Sequence, residues 1–223
     1  MLSKLEEALG YVYKDKELLR TALSHTSYAN EVYKDSLRSY ERLEFLGDAI
    51  LGFATAEYLF HTFPTKQEGE LTKIRAELVC EKSLAEVAQQ IHLGDYLLLG
   101  NGEEQSGGRS RASILCDVME ALIAAAYLDG GGAAAKAIVS GRILPMLTQV
   151  LHTHDYKTEL QELVQRKRDQ LLHYELIGEH GPDHCKEFSV RVLLNGVEVG
   201  RGVGTSKKRA EQAAAAQAIE KLF

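Results

Sequence analysis

The feature that most limits what this chain can fold into is a change of hydrophobic period about two-thirds of the way along it. Up to Val150, apolar residues recur at helical spacing in Leu5–Leu9, Leu18–Leu23, Leu43–Phe60, Leu71–Val79, Leu84–Ile91, Ile114–Leu128 and Ala133–Val150. Short breaks at Pro64, Gly100–Gly102, Gly107–Gly108 and Gly130–Gly132 separate these segments. One further helical stretch, Tyr156–Gln170, follows, and then the period drops to two. Phe188, Val190, Val192 and Leu194 alternate with Ser189, Arg191 and Leu193, as in a strand with one more buried face. Asn195-Gly196 then reads as a two-residue hairpin, because both central positions of a type I′ turn need positive φ. Val197–Val203 is the expected partner strand and Tyr174–Glu179 a weaker third. Ser206 is placed to cap a last helix ending at Leu222, whose Ala213–Ala216 run suits close packing on a sheet. The predicted architecture is multidomain: an all-α unit followed by a small α+β unit of order α-β-β-β-α. Residues 156–223 are enough for such a domain.

Charge follows the same division. The 223 residues carry a formal net charge of −6. From Tyr156 to Phe223 there are eleven basic and ten acidic side chains, so all the excess acid lies before them. The total charge therefore neither favours nor excludes a nucleic-acid partner. The uncharged stretches Ala49–Ala56 and Ala121–Leu128 are eight residues each, against about 20 for a spanning helix. The start, MLSKLEEALG, lacks a secretory pattern. Cys80, Cys116 and Cys185 are far apart, odd in number and without a CxxC, which suggests neither a disulfide framework nor a zinc site. The expectation is a chain of a reducing cytoplasm, with no membrane association.

Chemistry concentrates in Glu41-Arg-Leu-Glu44-Phe-Leu-Gly-Asp48. At about 100° per residue, Glu41, Glu44 and Asp48 form one narrow stripe, with Leu43, Leu46, Ile50 and Phe53 on the opposite side as the expected core face. The acidic stripe continues in the small residues Ala49, Gly52 and Ala56, against which something should pack closely. A second pair, Asp117 and Glu120, sits in the otherwise apolar Ile114–Leu128, with no Lys or Arg within one turn of either. Taken locally, each stripe can be a solvated acidic face. If the two helices face each other, four acids converge. Two like charges 4 Å apart repel by about 4 kcal/mol at an effective dielectric near 20. Such a group takes up protons or binds a cation, and all-oxygen donors suit hard ions such as Mg²⁺ or Mn²⁺.

The motif ERLEFLGDA (Glu41–Ala49) resembles the signature of bacterial ribonuclease III, and DVMEALIAAAYLD (Asp117–Asp129) resembles that family's second acidic helix. EGELTKIRAELV (Glu68–Val79) and SGGRSRASILCD (Ser106–Asp117) look like its intervening segments. The resemblance implies a homodimeric endoribonuclease that cuts double-stranded RNA to 5′-phosphate and 3′-hydroxyl ends with short 3′ overhangs, in ribosomal-precursor and mRNA processing. It implies Mg²⁺, with Mn²⁺ able to substitute, held by Glu44, Asp48, Asp117 and Glu120. Asp48 and Glu120 would be the catalytic acids, and Glu41 and Glu68 accessory acids near the RNA and the metal. Phe45, which by composition alone reads as a core residue, would insert into the partner subunit.

The C-terminal order resembles a double-stranded RNA-binding domain, with GPDHCKEF (Gly181–Phe188) of GPxHxxxF form and GRGVGTSKKRAEQAAA (Gly200–Ala215) of its Gly-rich entry and KKxAE helix start. The organisation then reads as a catalytic domain over 1–151, a linker over 152–156 and a duplex-binding domain over 157–223. By the same resemblance Thr158, Gln161 and His184 serve the minor groove and Lys207, Lys208 and Arg209 the phosphates, at a helix N-terminus whose dipole favours anions. A P-loop reading fails for want of GK[ST]. His152 and His154 have HxH spacing at the linker, but no cysteine or acid cluster completes a metal site. The rival readings are a pseudo-nuclease that holds duplex RNA without cutting it, and a metal phosphohydrolase of small molecules.

Overall fold

A computed structural model of the chain describes residues 2–152, 156–165, 170–181 and 186–222. It divides into two units, Met1–His152 and Thr153–Phe223. The first is helical: α1 (Leu2–Leu9), α2 (Lys16–Ala22), α3 (Thr26–Tyr28), α4 (Glu41–Thr62), α5 (Glu68–Leu78), α6 (Glu81–Gln90), α7 (Asn101–Gln105), α8 (Ala112–Ile138) and α9 (Leu147–His152). The apolar α8 forms the centre, with Val118, Met119 and every residue from Ala121 to Ala126 buried, and α2, α4 and α6 pack around it. The break expected at Gly130–Gly132 is a kink within α8, where Gly131 takes φ +77°.

Helix α4 departs from the expected orientation. Its buried residues are Leu43, Gly47, Leu51, Ala54, Thr55 and Leu59. Leu46 and Ile50 are only half-buried and Phe53 is 62% exposed, so the core face lies about a quarter-turn from the predicted one. Both sides of this helix are apolar, and the period alone does not choose between them. In the small stripe Ala49 is exposed, Gly52 and Ala56 are half-buried, and a Cβ on Gly52 would have no neighbour within 4 Å among the described residues. The close approach occurs instead at Gly47.

The segment after α1 is laced to the far part of α8. Asp129 accepts hydrogen bonds from the Tyr11 hydroxyl (2.7 Å) and from the backbone N–H groups of Lys14 and Asp15 (2.9 Å each). Asp15 in turn caps α2 through the N–H groups of Glu17 and Leu18. The buried Tyr13 donates to the Leu122 carbonyl at 2.9 Å.

The second unit contains α10 (Tyr156–Gln165), β1 (Leu172–His180), β2 (Glu187–Leu194), β3 (Val197–Gly204) and α11 (Lys207–Leu222), with the strands antiparallel in the order β1-β2-β3. The hairpin turn is as expected, with φ +51° at Asn195 and +83° at Gly196. The first helix is shorter than predicted, since Gln170 is not helical. Leu160 and Val164 of α10, Val190, Val192 and Val199 of the sheet, and Ala210, Ala214, Ala215 and Ala218 of α11 form the core. A Cβ on Gly200 or Gly202 would lie 2.3 or 2.2 Å from the backbone of Ala214. Glycine here lets α11 lie directly on β3. On the open face of the sheet Arg191 pairs with Glu175 (2.7 Å) and Glu198 (3.7 Å). No described helix is long and apolar enough to cross a membrane.

Candidate functional site

The acidic site is assembled by the contact of α4 with α8. A Cβ on Gly47 would sit 1.9 Å from the backbone oxygen of Glu120, so the two helices touch main chain to main chain at that level. Glu44 lies three residues before Gly47 and Asp48 one after it, which brings both beside Glu120. Asp117 precedes Glu120 by three residues, nearly one turn. Glu41 and Glu44 occupy the first turn of α4, where the helix dipole favours negative charge.

Electrostatics shows the crowding. The Glu120 carboxyl is raised to about 7, first by burial and then by Asp48, Glu44 and Asp117. Glu44 is also raised, by burial and by Asp117, Glu41 and Asp48. Asp117 is raised chiefly by burial, with Glu81 and Glu41 adding and the Tyr40 hydrogen bond and His25 opposing. Burial and the neighbouring acids push the Cys116 thiol up to about 12. Every charge that shifts Glu44 or Glu120 is acidic, so among the described residues no cation offsets these two. Among the described residues, no three His, Cys, Asp or Glu side chains are gathered tightly enough to hold a metal ion as they stand. The donor set is nonetheless all oxygen, and its unbalanced charge suits a hard divalent cation.

The other predicted residues are placed as follows. Glu41 is exposed, and its Oε1 accepts from the Thr26 hydroxyl at 2.8 Å. Glu68 opens α5 and lines an 860 Å³ cavity with Phe53, Phe60, Leu71 and Arg75. This cavity flanks the C-terminal half of α4, so Glu68 is not gathered with the four acids within one chain. Phe45 is 82% exposed and takes no part in the core that composition alone suggests for it. Thr158 and Gln161 are exposed on α10, whose buried residues are Leu160 and Val164. Lys207, Lys208 and Arg209 are exposed in the first turn of α11, and the Ser206 hydroxyl accepts from the Arg209 N–H at 3.2 Å. Among the described residues neither lysine has an acidic partner. His184, His154 and Cys185 lie outside the described residues. Cys80 is exposed and Cys116 buried, both as free thiols.

Two site neighbours are not visible in the sequence. Glu81, the first residue of α6, acts on Asp117, and the Tyr40 hydroxyl donates to Asp117 Oδ2 at 3.2 Å. Both reach the site through tertiary packing. The only hint for Tyr40 is its position immediately before the acidic motif.

Residues 15–147 match the family described as Ribonuclease-III-like, and residues 156–222 match the double-stranded RNA binding motif. Ribonuclease 3 of Listeria monocytogenes serotype 4a (strain HCC23) is 47% identical over 221 residues, covering 98% of this chain and 96% of its own length. Ribonuclease 3 of Pelotomaculum thermopropionicum is 48% identical over 223 residues, covering 99% of this chain and 92% of its own. The nuclease domain of ribonuclease III from Campylobacter jejuni superposes with a TM-score of 0.61 at 45% identity, covering 65% of this chain and 97% of that one. Fold and site thus define a hydrolase, an endoribonuclease joined to a duplex-RNA-binding module. The chain belongs to the ribonuclease III family and acts on double-stranded RNA.

Proposed function

We propose that this endoribonuclease depends on a divalent cation, Mg²⁺ or in its place Mn²⁺, held by Glu44, Asp48, Asp117 and Glu120. The observation that carries this reading is the contact at Gly47, which brings acids of two helices together, with only acidic charges acting on Glu44 and Glu120. Bound there, the cation would activate water and offset charge developing on the scissile phosphate. Asp48 and Glu120 are the catalytic acids, and Glu41 and Glu68 accessory ones. Without a cation the Glu120 carboxyl lies near 7, raised by burial and the neighbouring acids, and a cation held there would keep it ionised and free its proton. The products are 5′-phosphate and 3′-hydroxyl ends with short 3′ overhangs, and the substrates are ribosomal and messenger precursors in the cytoplasm.

Two copies work together. The C. jejuni nuclease domain has a region involved in dimer formation. Here the exposed Phe45, Ala49 and Phe53, with the open space beside Gly52, give α4 a face for a second protomer. The domain over 1–151 cuts, the one over 157–223 holds the duplex, and 152–156 link them. Thr158, Gln161 and His184 face the minor groove, and Lys207, Lys208 and Arg209 the phosphates.

The test is cleavage of a long RNA duplex with and without Mg²⁺, by the native chain and by Glu120→Gln. Cleavage should require the cation and vanish in Glu120→Gln while duplex binding persists. Full activity of that variant with Mg²⁺ removes Glu120 from the site, and full activity in chelator removes the cation.

A further inference from the structure

Tyr40 immediately precedes α4 as its N-cap and is held by several contacts. Its ring is buried at 3% exposure, and its N–H donates to the carbonyl of the fully buried Ser24 at 2.9 Å. Its carbonyl accepts from the N–H groups of Leu43 (2.8 Å) and Glu44 (2.9 Å), starting the helix that carries Glu44 and Asp48. The His25 ring lies against the Tyr40 ring with centroids 5.7 Å apart. His25 is itself fixed, since its Nδ1 accepts from the Ser27 N–H at 3.1 Å and caps α3. The hydroxyl is the one polar atom of the Tyr40 side chain, and it donates to Asp117 Oδ2 at 3.2 Å. Among the described residues the Asp117 carboxylate makes no other hydrogen bond, so Oδ1 stays available while Oδ2 is held.

We infer that Tyr40 is a positioning residue of the nuclease site, whose hydroxyl fixes the Asp117 carboxylate from α4 so that its other oxygen is presented to the divalent cation. The geometry is distinctive because the bond crosses between the two acid-bearing helices. One end is the residue that starts α4, and the other is a carboxylate of α8. Tyr40 thereby ties Asp117 to the same turn of chain that sets Glu44. Groups that hydrogen-bond to metal-binding side chains commonly set their orientation, and losing one weakens affinity about 10–100-fold. A phenol suits this role. It donates one hydrogen bond to an ionised carboxylate and brings no charge of its own near neutral pH, where burial and the adjacent Asp117 keep it protonated.

This inference rests on the divalent-cation reading above. The experiment uses the full chain and its Tyr40→Phe and Tyr40→Leu variants, with Mn²⁺ binding followed by the electron paramagnetic resonance of free Mn²⁺. Cleavage is measured against Mg²⁺ concentration alongside, together with KM for a long duplex. Tyr40→Phe keeps the ring and should melt close to the native chain, yet bind Mn²⁺ about 10–100-fold more weakly. Its half-maximal Mg²⁺ should rise by a similar factor, with KM for the duplex unchanged. Tyr40→Leu should lose the same metal affinity and also melt lower. If Tyr40→Phe binds Mn²⁺ as tightly as the native chain and only Tyr40→Leu is impaired, the ring matters for packing alone and the inference falls. If the native chain binds no Mn²⁺, the cation reading itself falls, and this inference with it.

Discussion

In the helical unit one glycine, Gly47, lets α4 meet α8 main chain to main chain. In the α+β unit Gly200 and Gly202 let α11 meet β3 in the same way. The packing device is shared, and the charges it arranges are opposite in sign and in setting. Against Gly47 it crowds the half-buried Glu44 and Glu120, on which only acidic charges act. Beyond Gly204 it presents Lys207, Lys208 and Arg209 to solvent at the start of a helix. Partly buried like charges stay unbalanced until a counter-ion joins them, which makes them a place for chemistry. Exposed cations keep their water and small ions until a polyanion displaces them, which makes them a place for binding.

Breaking the first contact has the largest expected effect. Gly47→Ala drives a methyl group into the Glu120 carbonyl, so α4 has to back away from α8 and carry Glu44 and Asp48 with it. The cost is about 1–3 kcal/mol, and cleavage should drop steeply beside it. Calorimetry and a duplex-cleavage assay test this together, and native values for both would mean that the close approach does not build the site. Gly202→Ala is the matching break in the other unit. It should cost a similar ~1–3 kcal/mol there and weaken duplex binding, leaving the helical unit's own melting transition in place. Unaltered duplex affinity would separate binding from the seating of α11.

A titration sharpens the comparison further. Because the Glu120 carboxyl lies near 7 in the folded chain against an ordinary 4.5, the folded state holds more protons than the unfolded one between those values. The contribution of Glu120 to stability in chelator should therefore be fully present below about 4.5, fall as pH rises through this window and level off above about 7. Glu120→Gln should reduce that fall, and equal pH slopes for both chains would discard the assignment. The smallest effect is expected from replacing Lys207 and Lys208 together by Ala. The slope of log affinity against log salt should shrink by about one for each phosphate no longer neutralised, and an unchanged slope would place both lysines outside the interface.

Much of this arrangement is legible in the sequence because its determinants are local. The spacing of Glu41, Glu44 and Asp48 along a helix, the pair Asp117 and Glu120, and the Asn195-Gly196 turn each depend on neighbours within a few residues. The orientation of α4 escapes such a reading for a physical reason. Leu46, Ile50 and Phe53 form as good an apolar stripe as Leu43, Leu51 and Leu59, and only the position of α8 decides which is covered. Gly47 reads as one small residue in a motif, and its necessity appears only with Glu120 beside it. Tyr40 and Glu81 come from other elements, 77 and 36 residues before Asp117, where no helical period can link them.

The lacing around Asp129 bears on how small a working nuclease fragment can be. Two of its three donors, Tyr11 and Lys14, precede residue 15, where the match to the Ribonuclease-III-like family begins. Cutting the gene at that boundary would strip this carboxylate of most of its partners and remove the Tyr13 hydroxyl from the Leu122 carbonyl, two residues past Glu120. A recombinant nuclease domain meant to keep its acids in register should therefore start at or before α1, since those opening residues act as the buckle on a belt fastened around α8.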